Sequence, residues 1–96
     1  MDNSTTNEIM TGLKCIFKQR FKMDMEGFSE EALDKELLGN EFKMQPRDLI
    51  YLFFDIEKEF GIVIPQVDIA EGRFNTFNNI AMIIADCLQS KEKQVV

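Results

Sequence analysis

The chain has no histidine and no tryptophan, a single tyrosine, two cysteines, two prolines and five glycines. Without histidine there is no Ser–His or Cys–His nucleophile pair and no histidine-bearing metal site. Cys15 and Cys87 are too few and too far apart in sequence for a disulfide framework or a zinc site. So little proline and glycine leaves scant room for a strand-and-turn architecture. No run of about 18 apolar residues is present, and the polar opening MDNSTTNE reads as neither signal peptide nor membrane span. We therefore expect a cytoplasmic protein with no membrane partner, no metal and no cofactor.

What is present suits one globular domain over residues 1–96, with an ordered core at about 6–88 and frayed termini. Apolar residues make up 45% of the chain and charged residues 29%, a balance that excludes disorder. Nine phenylalanines and six methionines suggest an adaptable interior or an apolar contact surface. The net charge is −6, and residues 23–41 carry all of it. That stretch holds Asp24, Glu26, Glu30, Glu31, Asp34, Glu36 and Glu41 against one base, Lys35. It reads either as a solvated polar face or as a segment that steers a basic partner. Nucleic acid is excluded as a partner by the sign of the charge.

Helical periodicity organises the rest. Thr5 and Glu8 have capping-box spacing, and Ile9, Leu13, Ile16, Phe17 and Phe21 then recur at helical intervals, predicting a first helix over 6–21. Cys15 falls nearly opposite that stripe, beside Lys14 and Lys18. Residues 21–28 read as a loop. Ser29 is a candidate N-cap for a short helix with Leu33, Leu37 and Leu38 on its apolar face and Gly39 as its stop. Residues 40–45 return to loop. The best-defined helix opens on Pro46, where a missing N–H costs nothing, with Asp48 in its first turn, and ends at Gly61. Leu49, Leu52, Phe53, Ile56 and Phe60 form its expected core face. Ile50, Tyr51 and Phe54 lie roughly 100–200° further round. A helix apolar on two sides is either deeply buried or offers one side to a partner. The sequence Gly61–Pro65 predicts an extended connector, and 66–71 a single helical turn. Thr76 should cap a last helix with Phe77, Ile80, Ala81, Ile84 and Leu88 on one face, Cys87 at its flank and a frayed tail KEKQVV.

Three long helices, a short one before the last, and the phrase EKEFGIVIP resemble the acyl carrier protein family, over roughly residues 6–88. That resemblance implies an all-α, acyl-carrier-like bundle of three long helices plus short ones. The family's signature is Asp-Ser-Leu at the start of its second helix, with 4′-phosphopantetheine esterified to the serine. Counting back from Phe60 places Gln45, Pro46 and Arg47 on that triplet, so Pro46 stands where the serine should be. Proline has no hydroxyl, and no phosphodiester can form there. Leu37, Leu38 and Gly39, a spacer, PRDL-x-YLFFDIE and GRFNTFNNI resemble a narrower group. These are the acyl-carrier-related proteins of bacterial peptide (bacteriocin-type) maturation systems, which lack the attachment serine. The resemblance implies an accessory to peptide-modifying enzymes.

The expectation is a non-catalytic, monomeric binding module that meets a protein partner through Arg47, Ile50, Tyr51, Phe54 and Lys58 on the helix that opens at Pro46. Against it stands burial of that stripe beneath residues 23–45. The alternative function is an acyl or aminoacyl carrier modified at an atypical residue, for which the start of the helix opening at Pro46 supplies no nucleophile. An enzyme would need a positioned acid–base group, and no motif joins the available carboxylates or Cys15 into one.

Overall fold

A computed structural model of the chain describes residues 3–93. It contains four α-helices: α1 (Asn3–Phe21), α2 (Pro46–Phe60), α3 (Gln66–Ala70) and α4 (Phe77–Lys93). Two short 3₁₀ turns, Met25–Gly27 and Ala32–Asp34, lie between α1 and α2. Among the described residues there is no strand, only an isolated antiparallel bridge between Glu36 and Thr76. The architecture is all-α.

The core follows the predicted stripes, with informative departures. From α1, Ile9, Leu13, Ile16 and Phe17 are buried, and the Phe17 ring packs 5.4 Å from that of Phe77 on α4. Gly12 leaves room for the Phe60 ring of α2, because a Cβ there would stand 2.9 Å from its Cζ. Helix α1 already includes Asn3, so Thr5 lies within the helix and is not its cap. The propensity of Thr5 for a cap loses to a helix that has further residues to extend over.

Helix α2 matches its predicted span. Asp48 accepts a hydrogen bond from the Gln45 N–H at 3.0 Å, satisfying a donor at the start of the helix. Gly61 ends it in the left-handed conformation (φ 66°, ψ 40°), which side-chain-bearing residues adopt at a cost. The expected core face is rotated, however. Leu52 and Ile56 are fully buried, whereas Leu49, Phe53 and Phe60 are only partly so. The connector then runs extended, with Ile62 and Ile64 buried on one side and Val63 exposed on the other. Glu57 fastens it by accepting the Ile64 N–H at 2.9 Å.

The largest correction concerns residues 29–39, which form no α-helix. Ser29 Oγ does accept the Ala32 N–H at 3.2 Å, but it caps no α-helix: only the 3₁₀ turn Ala32–Asp34 follows, and the residue at its N-cap is Glu31. Beyond it the Leu37 N–H donates to the Asn75 carbonyl and the Leu37 carbonyl accepts from Met44, both at 2.9 Å. These tertiary hydrogen bonds take the backbone groups a helix would have used, and a helix this short has little stability of its own. Leu33 and Leu37 enter the core, while Leu38 turns outward, 46% exposed. The acidic stretch and its neighbours also deliver Met25, Ala32, Phe42 and Met44 to the interior. It is an integral layer of the bundle.

At α4 the Thr76 hydroxyl accepts the Asn79 N–H at 3.0 Å, as an N-cap should. Phe77, Ile80, Ile83 and Ile84 are buried, with Ala81, Cys87 and Leu88 packed against them. Helix α4 continues through Lys93, beyond the start of the tail expected to fray, and residues 94–96 lie outside the described ones.

The two cysteines give a direct test of helical phase. Cys15 is exposed. Cys87 is half-buried, its Sγ 3.6 Å from the Val63 carbonyl. Burial, then Asp68, Asp86 and Glu57, push its thiol up from the ordinary value. Thiolate is the reactive species, so iodoacetamide should alkylate Cys15 several-fold faster than Cys87 in the native protein. Equal rates, read by mass spectrometry of the digested protein, would mean that α1 or α4 is phased differently.

Candidate docking surface

The expected contact residues occupy one exposed side of α2, and the structure divides them between two surfaces. Ile50 is 57% exposed and Phe54 61%. Residues 23–45 leave them uncovered. Both line an open, largely apolar groove of about 640 Å³ together with Leu49 and Phe53 of α2, Ile69 and Ala70 of α3, and Phe74. Phe53 meets Phe54 edge to face, ring centres 5.6 Å apart, and meets Phe74 at 6.0 Å. Leu38, Glu36 and Asn75 also line the groove. Concave apolar surfaces of this size with few polar groups are the usual places where ligands and partner side chains insert.

Tyr51 and Lys58 face elsewhere. Tyr51 sits under the Arg20 guanidinium of α1, 5.4 Å from its ring centre. Arg20 is in turn forked onto Asp55, with N–O distances of 2.7 and 2.8 Å. That hydrogen bond, more than its own charge or that of Lys58, holds the Asp55 carboxyl below its ordinary value, against a smaller opposing effect of burial. Lys58 lines the neighbouring polar cleft with Gln19, Arg20, Asp55 and Glu59. This side of α2 is thus engaged in fixing α1 against α2, with Tyr51 in that contact and still 49% exposed. Arg47 is exposed at the start of α2 and makes no ion pair among the described residues.

The groove also contains residues that periodicity did not select. Leu38 reads as part of an apolar helix face and instead stands at the groove's edge. Ile69 and Phe74 come from the short helix and the loop after it, where no period exists to assign a face. Their only sequence signal is an apolar residue within a polar turn. Pro46 occupies the first position of α2, where its ring is compatible with the helix start. The Ser29 hydroxyl accepts the Ala32 N–H in another segment.

Among the described residues, no group of three His, Cys, Asp or Glu side chains is placed to hold a metal ion. No helix among them is long and apolar enough to cross a membrane. Comparison with family models, curated proteins and solved structures finds no match to this chain.

Proposed function

We propose that this chain is an acyl-carrier-like, non-catalytic binding module that docks on a protein partner, an enzyme of a peptide maturation pathway, through α2. The observation that carries the reading is the open groove beside Ile50 and Phe54, two large apolar side chains left more than half exposed. Isolated exposed apolar residues are ordinary, but a contiguous concave set marks an interaction site. Pro46 at the start of α2, with no hydroxyl at positions 45–48, supports a role that does without phosphopantetheine. The acyl-carrier-like frame and the peptide maturation pathway rest on the sequence resemblance. The long, long, short, long order of α1 to α4 is compatible with that frame.

Two measurements on one preparation test the proposal. Incubation with coenzyme A and a broad-specificity phosphopantetheinyl transferase should leave the intact mass unchanged. A gain of one phosphopantetheine, at Ser29 or elsewhere, would instead make the chain a working carrier. In the native host, a photo-crosslinking phenylalanine analogue at position 54 should trap one discrete protein, whereas the same group at Met82 should not. Met82 is equally exposed but lies on α4, so matching adducts from both positions would remove α2 as the docking element.

A further inference from the structure

Resting on the same exposed face as the docking reading, we infer that the groove is closed by a second copy of this chain, in a weak two-fold dimer that a docking partner displaces. The charges beside the groove select that occupant. Glu36 lines it beside Asn75, whose amide donates to the carboxylate at 3.0 Å and leaves its charge in place. Arg47 stands one turn before Ile50 on the same side of α2. It is exposed, as are Lys35 and Lys43, and none of these three bases forms an ion pair among the described residues. The surroundings of the groove therefore carry an unneutralised acid together with unneutralised bases. A partner face of one sign would satisfy one set and repel the other. A second copy of the chain carries both.

In a two-fold interface every contact is made twice, residue i on j and residue j on i. With the axis running along the groove, the α2 wall of each copy meets the opposite wall of the other. Arg47 of each copy is then brought to Glu36 of the second. Ile50 and Phe54, 57% and 61% exposed, enter the second copy's groove toward Ile69 and Leu38, themselves 41% and 46% exposed. The size of the face sets the strength. Helix α2 is about 22 Å long, and with the facing wall the contact covers on the order of 500 Å² per copy, against about 800 Å² in a standard interface. The net charge of −6 on each copy adds repulsion at long range. The dimer is therefore transient, with a Kd on the order of 10–100 µM. The monomer expected from the sequence is its dilute state, and a partner gains the groove by mass action.

Sedimentation velocity of the full chain over about 5–500 µM tests the inference. The average mass should rise from one chain toward two and go no higher. Phe54→Asp should hold the protein monomeric over the whole range. Met82→Asp, at an equally exposed apolar site on α4, should leave the dimer intact. Glu36→Arg and Arg47→Glu should each weaken association about tenfold, and the two exchanges together should restore it. Circular dichroism melts establish that each variant is folded before its mass is read. A chain that stays monomeric throughout, a dimer indifferent to Phe54→Asp, or assembly that continues past two chains would each overturn the inference. Loss of the dimer in Phe54→Asp without rescue by the double exchange would overturn the two-fold arrangement along the groove. A monomer that binds dodecanoic acid, and loses it in Phe54→Asp, would give the groove to an apolar small molecule instead. The crosslink at position 54 keeps the docking reading separate. A product of two chains' mass belongs to the dimer and a product with another protein to docking, so either can fail alone.

Discussion

Leu52→Ala is expected to lower the stability of this protein by about 2–5 kcal/mol, while Phe54→Ala two residues later changes it by about 1 kcal/mol or less. Leu52 is fully buried in the middle of α2, so truncation to alanine leaves a cavity in the close-packed core. Phe54 is 61% exposed, and its edge-to-face contact with Phe53 is the one aromatic interaction it would lose. Small domains are stable by about 5–15 kcal/mol, so the first substitution removes a large fraction of the total. For a chain of this length each kcal/mol moves the melting temperature by about 4–8 °C. Thermal melts followed by circular dichroism should therefore separate the two variants by at least about 4 °C. Sequence periodicity points to Phe53 as the core partner of Phe54. The structure moves that role to Leu52, because Phe53 is half-buried and lines the groove. Phe53→Ala should fall between the two. Comparable losses from Leu52→Ala and Phe54→Ala would show that something covers the groove in the free protein.

The second large effect lies in the acidic stretch. Leu37→Ala should cost about 2–5 kcal/mol, as for any buried leucine, although no regular helix contains it. Leu37 is fully buried, and its backbone bonds join the loop before α4 to the segment leading into α2. Losing the side chain opens a cavity at the point where three separate parts of the chain are held together. Hydrogen exchange gives the sharper check. The amides of Leu37 and Met44 should exchange only through global unfolding and so be protected to the same extent as those of α1 and α4. A solvated loop would give a change within about 0.5 kcal/mol and rapid exchange at both amides. Either result would contradict the bonding described for this segment. The outcome bears on the docking surface as well, since Leu38 and Glu36, which line the groove, flank Leu37.

Local sequence determined the parts of this protein whose causes are local. Pro46 and Asp48 start α2, Gly61 stops it, and Thr76 caps α4, because each acts on backbone groups within about one turn of itself. The apolar stripes of α1 and α4 likewise identified most of their buried residues, since burial repeats with the helical period. The absence of a hydroxyl beside Pro46 was legible without any structure. Tertiary structure alone decided the rest. It buried Leu52 and Ile56 fully and left Phe53 half-exposed, because packing against α1 and the rest of the core fixes which flank of a broad apolar face is covered. It replaced the expected helix at 29–39 by a single turn, since hydrogen bonds to Asn75 and Met44 outcompeted a helix too short to hold itself. It also split the five expected contact residues, giving Ile50 and Phe54 to the groove and Tyr51 and Lys58 to the α1 side. No periodicity relates Leu38, Ile69 and Phe74 to Phe54. They share a surface only because the chain, once folded, returns to α2 from both directions.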